Sequence, residues 1–139
     1  MHMRAAARVT VQNAEVLPFD EQSGSALVEV RLFETFAGDM EGESPVRALQ
    51  VRYDDGTGAL ISLQRFVGRL GERKGSFVLQ GNGTVENGRI KAEWFVVQGS
   101  GNSGLGGLRG KGDLKVSLGK ARSQLPTTGL SDGSCPVKR

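Results

Sequence analysis

Apolar and polar residues alternate one by one through most of this chain, in short segments separated by turn chemistry. That period of two belongs to strands with one buried face, and helical periodicity is nearly absent. The first segment is Val9 to Leu17. In Ala26 to Phe36, Val28, Val30, Leu32 and Phe36 share one face, while Glu29, Arg31 and Thr35 share the other. In Val46 to Tyr53 the apolar set is Leu49, Val51 and Tyr53. Arg65 and Arg69 mark the outside of Leu60 to Leu70, which leaves Leu60, Ser62, Gln64, Phe66, Gly68 and Leu70 facing in. Leu108 to Leu118 alternates cleanly again, with Leu108, Gly110, Gly112, Leu114, Val116 and Leu118 inward.

One register can be read directly. Asn87-Gly88 lies between two strand-like runs, and Asn-Gly is the strongest short hairpin signal, expected as a type I′ turn. A two-residue loop then pairs Glu86 with Arg89, Val85 with Ile90, Gly83 with Ala92, Gly81 with Trp94, Leu79 with Val96 and Phe77 with Gln98. On this face Gly81 and Gly83 form a notch opposite Trp94 and Ala92.

Seven or eight strands with one apolar face each must bury it in a closed barrel or between two sheets. Glycine is the compositional outlier, 21 of 139 residues, and inward glycines favour tight coiling. The expected fold is therefore all-β, an eight-stranded antiparallel closed barrel over 7–118. Residues 1–6 are expected to be an N-terminal extension with a cloning remnant, and 119–139 a flexible basic tail. Eight strands enclose a lumen that side chains just fill, or that holds one small ligand.

The charge is uneven. Residues 1–108 carry 11 Lys/Arg against 13 Asp/Glu, and 109–139 carry 7 against 2. The net +3 thus describes the C-terminal end. No basic run is interleaved with aromatics, so no nucleic-acid partner is expected. No stretch approaches the length of a membrane span, and MHMRAAARVTV lacks a signal-peptide core. Cys135 is alone and cannot form an internal disulfide, so a cytoplasmic location is expected.

Several motifs are specific as an ordered set. They are Thr35-Phe36-Ala37-Gly38-Asp39-Met40-Glu41-Gly42, then Arg65-Phe66-Val67-Gly68-Arg69-Leu70-Gly71 leading into Gly75-Ser76-Phe77-Val78-Leu79-Gln80, then Gly99-Ser100-Gly101 with Leu105-Gly106-Gly107-Leu108-Arg109-Gly110. Together they resemble the bacterial domain-of-unknown-function 3224 family, over roughly residues 7–118. The resemblance implies an allene oxide cyclase-like β-barrel and a homo-oligomer, dimer or trimer, without implying a substrate. The wider barrel class includes cyclases that fold an apolar chain in a dry lumen. This chain departs from the family pattern at Gln64, at Gly81 and at Asn102-Ser103-Gly104. Those departures weaken any acid–base role carried by the family positions.

The residue inventory narrows the chemistry. His2 is the sole histidine and Cys135 the sole cysteine, which excludes zinc, haem and iron–sulfur ligation and the Ser-His-Asp and Cys-His arrangements. No metal and no cofactor are expected. Glu34 falls on the apolar face with Val30, Leu32 and Phe36, where a carboxyl has its pKa raised and can act as a general acid or base. The competing reading is a solvated Glu34 at the rim. Tyr53, Gln64 and Gln98 are candidate ligand-orienting groups, and Phe66, Phe77 and Trp94 the apolar wall. A core network without a ligand explains the same residues. Three functions remain open: binding of a small apolar molecule, with cofactor-free cyclisation or isomerisation by Glu34; a non-catalytic binding or assembly module with a filled interior; and a carboxylate hydrolase using Asp39 or Glu41, which a capped turn at Gly38 and Gly42 explains equally.

Overall fold

The structure is a computed structural model that describes residues 4–117 and 127–131. Nine strands follow one another: β1 (Arg4–Gln22), β2 (Ser25–Gly38), β3 (Met40–Tyr53), β4 (Thr57–Leu70), β5 (Arg73–Glu86), β6 (Arg89–Val96), β7 (Asn102–Ser103), β8 (Lys111–Ser117) and β9 (Thr127–Ser131). All pairings are antiparallel, in the sheet order β4-β3-β2-β1-β9-β8-β6-β5-β7, with β4 also pairing β5.

The strands are unequal, and this overturns the closed eight-stranded barrel. β1 to β5 run 14 to 19 residues, whereas β6, β8 and β9 have 8, 7 and 5. β9 reaches β1 only from Arg4 to Arg8. From Val9 to Gln22 the outer edge of β1 has no strand beside it among the described residues. Gln12 to Gly24 are exposed throughout. The architecture is thus a nine-stranded antiparallel sheet with a long unpaired edge, and not the closed allene oxide cyclase-like barrel expected. That edge is guarded against another strand. Pro18 has no N–H to offer, Asn13 adopts φ 55°, and the register slips between Gln12 and Glu15 and between Pro18 and Asp20.

The ends of the chain also differ from expectation. β1 begins at Arg4 with Ala5 already buried, inside the expected extension. β9 lies inside the expected tail and pairs with both β1 and β8. His2 and Cys135 fall outside the described residues.

The Asn-Gly hairpin forms as its chemistry requires. Asn87 and Gly88 both have positive φ, 51° and 79°, and the β5–β6 register from Glu86↔Arg89 to Leu79↔Val96 is the one a two-residue loop dictates. It ends sooner than expected. After the Val97 N–H donates to the Val78 carbonyl, the Val78 N–H goes to Ser100 Oγ and Gly99 turns the chain with φ 81°, so Gln98 is exposed and does not oppose Phe77.

β3 is out of phase with its apolar pattern. Val46, Ala48 and Gln50 are buried, whereas Leu49 is 47% and Tyr53 49% exposed. Val30 pairs with Ala48 and Ala48 with Ser62, so this part of the inner face takes small side chains. Tyr53 is therefore not a lining group.

The main core gathers Phe36, Phe66, Phe77 and Trp94 with Val9, Met40, Leu70 and Leu79. Phe36 meets Phe66 edge-on at 5.3 Å, and Phe66 lies 5.1 Å from Phe77, separations at which aromatic pairs attract beyond their buried area. The glycine-rich segment contributes Leu105 and Leu108 to the same cluster, Leu105 with no exposure at all. Gly75 permits this crossing, since a Cβ there would stand 2.3 Å from the Asn102 carbonyl oxygen. A smaller cluster of Val28, Val30 and Ala48, flanked by Ala26 and Leu32, occupies the other half.

Trp94 fills the notch at Gly81, where a Cβ would lie 2.6 Å from Ser62 Oγ and 2.9 Å from Trp94 Cδ1. Gly81→Val is expected to destabilise the fold by about 1–3 kcal/mol through overpacking, and to alter the emission of Trp94, the sole tryptophan. Thermal unfolding followed by that emission checks both; an unchanged melting temperature would show that the notch has room to spare.

Candidate functional site

Between the two apolar clusters lies a layer of buried polar side chains. Alternation along β2 points Glu34 inward between Leu32 and Phe36. On the inner face Val11, Glu34 and Ser44 pair across β1, β2 and β3. Gln64 stands in β4 opposite Val46, one inward position from Ser44. Glu34, Ser44 and Gln64 are 4%, 0% and 4% exposed.

The Gln64 side-chain amide nitrogen donates to Glu34 Oε1 at 2.8 Å and to Ser44 Oγ at 2.9 Å. Its two protons are thereby both used, which orients the amide with nitrogen towards the carboxyl. Burial pushes the Glu34 carboxyl up to about 7, and the Gln64 hydrogen bond opposes part of that rise. Neither cause is a charge. The carboxyl is thus solvated by neutral dipoles, and at neutral pH it divides between acid and carboxylate. Such a group exchanges a proton near pH 7 without histidine.

The expected wall residues assemble beside this layer. Phe66 and Phe77 are fully buried, Trp94 is nearly so, and Phe36 joins them, its ring 6.1 Å from that of Trp94. Tyr53 and Gln98 take no part. Ser44 was missed by sequence reasoning. The signal was the inward parity of Gly42, Ser44, Val46, Ala48 and Gln50, hidden by the bulkier apolar residues at Leu49 and Val51. Gln50 is a further buried polar group, and its Oε1 accepts from Arg52 Nε at 2.9 Å.

Asp39 and Glu41 do not form a paired acid. Asp39 Oδ2 accepts the Ala6 backbone N–H at 3.0 Å, and Glu41 pairs with Arg69, with buried Met40 between them. Asp39 thus caps a backbone amide of β1, and Glu41 is the cross-strand partner of Arg69 in β4. Among the described residues no group of three or more His, Cys, Asp or Glu side chains is placed to hold a metal ion, and no helix is long and apolar enough to cross a membrane.

A family model described as a protein of unknown function (DUF3224) matches residues 5–125. A crystal structure of a DUF3224-family protein of unknown function from Shewanella oneidensis superposes with a TM-score of 0.75 at 24% identity, covering 94% of this chain and 96% of that one. At that identity the likeness shows the fold alone. No curated protein matches the chain.

Glu34 links stability to pH. Its folded pKa of about 7 lies above the ordinary 4.5, so the folded state holds the proton more tightly. The stabilisation is full below pH 4.5 and is lost as pH rises through 7, a change of about 3 kcal/mol. Glu34→Gln is expected to remove this slope and to be the more stable protein at pH 8, as read by urea unfolding across that range. An equal slope in the variant would place the titration elsewhere.

Proposed function

This chain belongs to the DUF3224 family of proteins of unknown function, and on that premise we propose that it binds a small, largely apolar molecule against the Glu34–Gln64–Ser44 layer. The ligand carries one hydrogen-bonding oxygen. The observation that carries the reading is a buried carboxyl whose pKa is about 7 and whose polar neighbours are uncharged. A carboxyl held this way weakens the fold at neutral pH, and such uncompensated costs concentrate at functional sites. Protonated Glu34 donates to a ligand carbonyl; ionised, it accepts a proton from carbon or oxygen. Any chemistry is then a cofactor-free proton transfer of the isomerisation type, with Gln64 holding the carboxyl in place.

The unpaired edge of β1 supplies the approach. Val16 pairs with buried Val30 yet is itself 43% exposed, so the smaller apolar cluster meets solvent on that side. Phe36, Phe66 and Phe77 back the layer on the other side.

A second reading has its own support. Trp94 occupies the Gly81 notch, as in a fully packed interior, and the polar layer is then structural. Titration with decanone, with decane as control, separates the two through Trp94 emission. Under the binding reading decanone saturates, and its affinity falls about tenfold between pH 6 and pH 8 as the Glu34 proton is lost. Glu34→Gln keeps a donor and is expected to bind without that pH dependence. Emission indifferent to decanone at every pH would favour the packed interior.

A further inference from the structure

The inner face of β3 ends in a charge. Val46, Ala48 and Gln50 point inward and are buried, and the same parity turns Arg52 inward at the far end of the strand, opposite Ala26 and Gly58. Arg52 is partly buried, and its partner Ala26 packs against the smaller apolar cluster. Gln50 is 6% exposed and stands between Val28 and Leu60.

Arg52 Nε donates to Gln50 Oε1 at 2.9 Å. A guanidinium only donates, so this bond fixes the Gln50 amide with its oxygen towards Arg52 and its nitrogen away. No ion pair among the described residues involves Arg52, and Gln50 Nε2 donates to none of them. Glu21 shares the row of Arg52 but opposes Ala26 on β1, two strands and about 10 Å away at the usual strand spacing, and it is exposed. Asp54 and Asp55 lie in the turn beyond Tyr53, where Asp55 is committed to Thr57. At this end β3 therefore presents the interior with donors, one of them charged.

On the premise that the Glu34–Gln64–Ser44 layer binds a ligand, we propose that this ligand is a long-chain carboxylate whose carboxylate end is held by Arg52 and Gln50. The two Nη groups of Arg52 form a planar fork that matches a carboxylate bidentately, and the Gln50 amide adds a further donor. A bound carboxylate offsets the cost of a partly buried cation that has no counter-ion. Between the two polar ends the inner face offers Val28, Val30, Leu32, Val46 and Ala48, an apolar path. Gln50 stands four residues from Val46, the partner of Gln64, and six from Ser44. At the rise of a strand that path is about 13–20 Å long, the reach of an alkyl chain with a carboxylate at one end and an oxygen near the other.

Isothermal titration of the full chain at pH 6 with 13-oxotetradecanoate and with its methyl ester tests this. At that pH Glu34 keeps most of its proton while the carboxyl of the probe is ionised. The acid is expected to bind about tenfold tighter than the ester, as a charge-assisted bidentate contact adds. Arg52→Gln is expected to bring the acid down to the affinity of the ester with the melting transition kept, and Arg52→Lys to retain part of the difference because the charge remains. Equal affinities of acid and ester for the wild type overturn the proposal while leaving the ligand reading in place. An acid preference that survives Arg52→Gln overturns it as well. A wild type that binds neither probe overturns the ligand reading and the proposal together.

Discussion

A slip of one residue anywhere between β2 and β4 would turn Glu34, Ser44 and Gln64 away from one another, because side chains change faces at every residue of a strand. Register is the constraint on which the interior and the outer face both depend. β2 pairs with β3 without interruption from Ser25↔Tyr53 to Phe36↔Gly42, and β4 with β5 from Thr57↔Glu86 to Leu70↔Arg73. These long ladders determine which side chains share a row. The aromatic core, the polar layer and the inward Gln50–Arg52 pair are three consequences of one alignment.

The polar layer is the least economical part of that alignment. A buried carboxyl favours its neutral form, and the fold offers Glu34 one neutral partner, Gln64, which is itself tied to Ser44, and no cation. The layer also separates two unlike halves. Above it the aromatic cluster is sealed by Leu105 from a segment that is itself mostly glycine. Below it the lining is Val, Ala and Leu, and the neighbouring stretch of β1 lies open to solvent. Closure at one end and exposure at the other follow from strand length, since β9 accompanies β1 for five residues of nineteen.

Much of this was legible beforehand. The Asn87-Gly88 turn specified its own register because a two-residue loop leaves no freedom. The inward face of β2 followed from clean alternation around Val28 and Val30, and that of β4, which is apolar on both faces, from Arg65 and Arg69 marking the outside. β3 was misread because Leu49 and Val51 are apolar but face outward; alternation gives two faces and does not say which is inside. Tyr53 was carried with them. Gln98 was misplaced for a different reason: pairing ends because the Val78 N–H donates to Ser100 Oγ and the Val97 carbonyl accepts the Ser100 N–H, contacts that no period-two pattern announces.

Local chemistry therefore determined what local chemistry can reach. Period-two patterning made the chain all-β, glycine and Asn-Gly set the turns, and parity put Glu34 and Gln64 on inner faces. Only the tertiary structure decided that Gln64 bridges Glu34 to Ser44, residues 30 and 20 positions away, because their meeting needs two successive ladders in register. Tertiary structure alone also left the edge of β1 unpaired and brought β9 into the sheet. Strand partnership is a non-local choice, made by whichever edges lie side by side once the core has closed.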